Sequence, residues 1–89
     1  MNTELLDKIA KRIIDEVNSS EEYNVRINWN ETFEIDEKEI HVKYNSNLKA
    51  YDFMVTNGEI DSLDVTIDDE PCLHIEEKYI TEQVNNLLR

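Results

Sequence analysis

The chain has 89 residues, enough for one domain that buries a core but with little margin to spare. Its 21 acids against 9 bases give a net charge of −12, which excludes direct nucleic-acid binding and polybasic attachment to anionic lipid, because both need a basic footprint. A single cysteine, Cys72, excludes an internal disulfide framework, and no apolar run reaches the ~20 residues that span a bilayer. Met1 leads into an amphipathic segment and not a secretory signal, so a reducing, cytoplasmic setting is expected.

The first element is a helix over residues 3–18. Leu5, Leu6, Ile9, Ala10, Ile13, Ile14 and Val17 recur at three- and four-residue spacing and form one apolar stripe. Asn2 or Thr3 can cap its start, and Asn18-Ser19-Ser20 ends it. Four acids against three bases leave this segment almost neutral, so the acidity lies elsewhere.

Strict alternation follows. Tyr23, Val25, Ile27 and Trp29 share one face of a half-buried strand, and Phe33 and Ile35 repeat the pattern. Asp36 to Glu39 reads as a turn before Ile40, Val42 and Tyr44 alternate again. Asn45-Ser46-Asn47 reads as a second turn. Tyr51, Phe53 and Val55 form a fourth row, then Asn57-Gly58 suggests a hairpin leading to Leu63, Val65 and Ile67. A three-residue loop with Gly58 left-handed would set Tyr51 opposite Leu63 and leave Ile60 on the outer face beside Met54.

Asp68-Asp69-Glu70-Pro71 ends that strand, because Pro71 cannot donate to a ladder, and Cys72 to Ile75 add a few extended residues. From about Glu76 the stripe Ile80, Val84, Leu87 and Leu88 is helical, with Glu76 and Glu77 at the helix's positive end. The expected fold is therefore α+β: an N-terminal helix, a four- or five-stranded antiparallel sheet and a C-terminal helix. Both helices would pack on one sheet face, in a single domain over 1–89.

The acids carry the functional signal. Between residues 59 and 77 lie Glu59, Asp61, Asp64, Asp68, Asp69, Glu70, Glu76 and Glu77, with no Lys or Arg. A one-signed segment on so short a chain creates a directed negative field that seeks a cationic partner. Inward Leu63, Val65 and Ile67 put Asp64 and Asp68 outward. A second group, Glu31, Glu34, Asp36, Glu37 and Glu39, surrounds the first hairpin turn. If the two groups share one edge of the sheet, they present spaced anions as a nucleic-acid backbone does. On this expectation, reversing Asp64 and Asp68 costs more affinity than reversing Asp7 and Asp15. The plain alternative is a solvated acidic face.

Other chemistry is poorly supported. The acids between 61 and 70 lack the loop spacing and central glycine of a calcium loop. Cys72, His74 and His41 fall short of the paired ligands of a structural zinc site. One glycine leaves no backbone for a phosphate-cradling loop or an oxyanion site, so neither a catalytic residue nor a cofactor is expected. Most aromatics occupy inward positions. Trp29, beside Asn30-Glu31, is the one that would serve as a partly exposed contact anchor ringed by carboxylates.

In size, charge and α+β pattern the chain resembles phage-encoded anti-defence proteins, including inhibitors of CRISPR effectors. The resemblance lies in charge and architecture, and no motif transfers functional residues. It implies a non-catalytic inhibitor, phage- or mobile-element-encoded, that fills the basic nucleic-acid-binding groove of a host protein by mimicry. An immunity or antitoxin protein against a basic nuclease toxin is a second reading. A structural or assembly domain is a third, as monomer or as homodimer through an exposed strand edge.

Overall fold

The computed structural model describes residues 3–18, 26–51 and 54–88. Helix α1 (Thr3–Asn18) is followed by strands β1 (Arg26–Ile35), β2 (Lys38–Tyr51), β3 (Met54–Ile67) and β4 (Glu70–Pro71), then helix α2 (His74–Leu87). The strands form one antiparallel sheet in the order β1-β2-β3-β4. The α1 stripe and Ile80 and Val84 of α2 share one apolar cluster with Ile40, Val42, Tyr44, Ile60, Leu63 and Val65. The expected α+β layering is thus present, with both helices against the sheet's inner side. The expected strand start at Tyr23 and Val25, Phe53 of the fourth row, and the Asn2 and Ser19-Ser20 helix ends lie outside the described residues.

Four local expectations are corrected. Asn45-Ser46-Asn47 is not a turn but mid-strand in β2, paired with Asn28, Ile27 and Arg26. The run looks turn-like by composition, yet its alternation suits a strand. Ser46 is buried, where its Oγ accepts the Trp29 indole N–H at 2.6 Å, while Asn45 and Asn47 face outward. Asn57-Gly58 is not a hairpin either. It pairs with Lys49 and Leu48 inside β3, Tyr51 pairs with Met54, and Gly58 has no positive φ. Strand β3 does end at Ile67, directly before Asp68 to Pro71, and Pro71 itself pairs with Thr66 on the short edge strand β4, where no N–H is required. Helix α2 starts at His74, two residues early, because the Glu76 carboxylate turns back to accept the Leu73 N–H at 3.0 Å.

The fourth correction matters most for function. Ile60 is not on the outer face but 2% exposed in the core, together with Leu63. Two residues three apart cannot both point inward on a regular strand. The register resolves this: Asp64 pairs with Lys43 and Asp61 with Asn45, so three steps on β3 match two on β2. That β-bulge re-phases the strand, and both apolar side chains reach the core. A second irregularity, between Lys49 and Ala50, again sets an extra β3 residue against β2, near the hairpin end.

The turns use two residues each. Asp36 and Glu37 (φ 52° and 66°) join β1 to β2, and Asp68 and Asp69 (φ 50° and 66°) join β3 to β4. Left-handed φ at both central positions is the type I′ pattern that Asn-Gly fills most cheaply. Here acids fill it.

Candidate binding surface

Among the described residues, no helix lies on the sheet's outer face. From β1 it presents Asn28, Asn30, Thr32 and Glu34; from β2 Glu39, His41, Lys43, Asn45 and Asn47; from β3 Glu59, Asp61, Asp64 and Thr66. The bulge brings Glu59 and Asp61 onto the same side as Asp64, which unbroken alternation would have forbidden. The three carboxylates span about 15 Å of strand. Their cross-strand neighbours are amides and a single lysine, Lys43, opposite Asp64. A shallow depression of about 370 Å³ lies over Asn28, Asn30, Lys43, Asn45 and Asp64. His41 Nε2–H donates to Asn30 Oδ1, fixing one amide of this face.

The two acidic turns sit at the same end of the sheet, flanking the start of β2. Exposed Glu34, Glu37, Glu39, Asp69 and Glu70 gather there, with Lys38 between them. The anionic surface is thus a row along β3 joined to a cluster at the turn end.

Several predicted acids have structural duties instead. Asp36 receives Lys8 Nζ of α1 at 2.9 and 3.0 Å, and that hydrogen bond raises the lysine pKa. Asp68 accepts the Glu39 N–H through Oδ1 at 2.9 Å and donates its own N–H to the Glu39 carbonyl at 2.8 Å, clamping β3 to β2. Glu76 caps Leu73, and Glu77 Oε2 accepts the Val65 N–H at 2.8 Å. Asn85 adds a similar contact: its Oδ1 accepts the Ile60 N–H at 2.8 Å and its Nδ2 donates to the Ile60 carbonyl at 3.3 Å. Side chains of α2 therefore close the β3 edge as a fifth strand would.

Glu31 departs furthest from expectation. It lies on the inner face, between Trp29 and Phe33, away from the outer acids. Burial first, then the Glu16 carboxylate of α1, raises its pKa, against a smaller opposite pull from Arg12. Arg12 Nε donates to Glu16 Oε1 at 3.1 Å, and its guanidinium lies 5.1 Å from the centre of the Phe33 ring. Glu31 Oε2 and the Tyr44 hydroxyl are buried without hydrogen-bond partners, and burial pushes the Tyr44 pKa up. Trp29 also faces inward and is half-buried, stacked on Tyr44 with centroids 5.8 Å apart. Its side chain is thus separated by the sheet from Asp61 and Asp64.

Cys72 packs against the core, and burial, reinforced by Glu76 and Glu77, raises its thiol pKa to about 11. It stays protonated at neutral pH and is a poor nucleophile or metal ligand. Among the described residues, no group of three His, Cys, Asp or Glu side chains is arranged to hold a metal ion, and no helix is long and apolar enough to cross a membrane. The chain matches no protein family, no curated protein and no solved structure.

Two features escaped sequence reasoning, and one had a signal. Ile60 and Leu63, large apolar residues three apart in a strand, already imply a bulge. Nothing in the sequence marks Asn85 or Glu77 as substitutes for a strand.

Proposed function

We propose that this protein is a non-catalytic inhibitor that lays its open sheet face into the basic, nucleic-acid-binding groove of another protein. The observation that carries the reading is the bulge between Asp61 and Asp64, which collects Glu59, Asp61 and Asp64 on one face that neither described helix covers, continuous with the acidic turn end. The turns add support. Glu37 and Asp69 hold left-handed backbone where glycine or asparagine would cost less. A chain that keeps acids at such positions gives up stability for charge. Spaced anions steer encounter with Arg and Lys, and the outer-face amides then supply short-range contacts. This is the mode of the anti-defence inhibitors that the chain resembles, and it suits a cytoplasmic protein encoded by a phage or mobile element.

The decisive test is affinity capture with a nucleic-acid competitor. The captured protein should be a nucleic-acid binder, should elute as salt rises, and should be displaced by duplex DNA or structured RNA. Glu59→Lys with Asp64→Lys should abolish capture, whereas Glu4→Lys with Glu82→Lys on the helices should not. These pairs replace the comparison first suggested by sequence, because Asp68 clamps the sheet and Asp7 accepts the Tyr79 hydroxyl at 2.7 Å. Equal losses from both pairs, or indifference to the competitor, sinks the reading.

A further inference from the structure

We infer that the outer edge of β1 is a strand-addition site for an extended basic segment of the partner protein. The ladder phase supplies the geometry. A two-residue hairpin closes on a hydrogen-bonded pair, here Ile35 with Lys38, and bonded and non-bonded pairs then alternate. Glu34–Glu39, Thr32–His41, Asn30–Lys43 and Asn28–Asn45 are therefore non-bonded pairs. The Glu39 backbone verifies this phase independently, since both its N–H and its carbonyl are engaged by Asp68 on the β3 side. Hence the N–H and C=O groups of Asn28, Asn30, Thr32 and Glu34 point away from β2. Among the described residues no strand lies beyond them.

The opposite edge sets the contrast. There Asn85 and Glu77 occupy the free groups of Ile60 and Val65, and Cys72 N–H bonds the Val65 carbonyl at 2.9 Å. Of the devices that blunt an exposed edge, residues 27–35 of β1 contain no proline, lysine or bulge, and the inward carboxylate of Glu31 is the one they do carry. Ile27, Trp29, Phe33 and Ile35 are only half-buried along the same margin, so an added strand would bury them further.

Charge selects the occupant. A second copy would bring two chains of net −12 together and oppose the acids of one β1 to those of the other. Glu31, Glu34 and the Asp36-Glu37 turn border the edge, while Arg12 and Lys8 are engaged by Glu16 and Asp36. The segment that fits alternates apolar residues, against Ile27 to Ile35, with Lys or Arg on the side of Glu34. The partner's basic character rests on the function proposed above; the backbone geometry does not.

Amide exchange followed by NMR, with an alternating Lys-Val peptide of the length of β1 as probe, tests this. In the free protein the amides of Asn28, Asn30, Thr32 and Glu34 should exchange at least about tenfold faster than those of Trp29, Glu31 and Phe33. The peptide should slow the first set to the rate of the second. Thr32→Pro, which removes only an outward N–H, should abolish that protection while Glu31 and Phe33 stay protected; Asn30→Pro is the second variant. Two results overturn the inference: the four amides already slow in the free protein, or undiminished peptide binding by both proline variants. Dimer formation that Thr32→Pro abolishes overturns the choice of occupant. Loss of groove-protein capture by the Glu59/Asp64 reversal but not by Thr32→Pro leaves the proposed function standing and removes this edge. Peptide binding lost with Thr32→Pro, beside capture unaffected by the reversal, does the opposite.

Discussion

Glu31 and Asp64 are both carboxylates on strands of one sheet, yet they take opposite roles. Asp64 stands exposed on the outer face with Glu59. Glu31 faces inward beside Glu16, with one oxygen buried and unpartnered. The same contrast separates exposed Glu37 and Asp69 from Asp36 and Asp68, their turn neighbours, which hold Lys8 and the Glu39 backbone. In an acid-rich chain, charge count measures the potential for a field. Whether a given carboxylate contributes depends on what lies within about 3 Å of it.

The comparison breaks most readily at Ile60, whose inward placement and the outward placement of Glu59 and Asp61 are one event. Ile60→Ala should cost about 3 kcal/mol in urea denaturation. A loss near zero would mean the strand is not re-phased, and the acidic row would dissolve with it. Next in size, Glu37→Gly should stabilise the fold by about 1 kcal/mol, because glycine enters left-handed φ without a Cβ clash. If Glu37 is kept for its charge, the same variant should slow association with the partner. A variant that gains no stability would remove the argument that these turns give up stability for charge.

The smallest expected effect sharpens the inward side. The raised Glu31 pKa means that the folded state binds this proton more tightly than the unfolded chain, whose carboxyl titrates near 4.5. The corresponding stability is fully present below the unfolded value and is lost as pH rises through the folded one. Glu31→Gln should therefore be more stable than the parent at about pH 7, with the gap narrowing toward about pH 5. Parallel pH profiles from denaturant melts of the two proteins would show that Glu31 is solvated as freely as the outer acids.

Much of the architecture was readable from residue spacing. The α1 stripe, the alternation from Ile27 to Ile35 and from Ile40 to Tyr44, and the helical return at Ile80 and Val84 each carry their own period. The errors fell where local composition and long-range pairing disagreed. Asn57-Gly58 and Asn45-Ser46-Asn47 have turn chemistry, but pairing two strands of fourteen residues each overrides them. Among the site residues, alternation alone puts Asp64 on its face. Glu59 and Asp61 reach it only through the bulge, and Glu31, near the turn acids in sequence, is separated from them by a single pleat.

The sequence by itself determined the element types, the surplus of negative charge and the apolar stripes that must be buried, because these follow from short-range periodicity and composition. Only the tertiary structure decided which carboxylates face solvent together, which hold the backbone, and which sheet edge α2 closes. The reason is the pleat: each register shift of one residue exchanges the two faces of a strand, and register is set by partners far away in the chain.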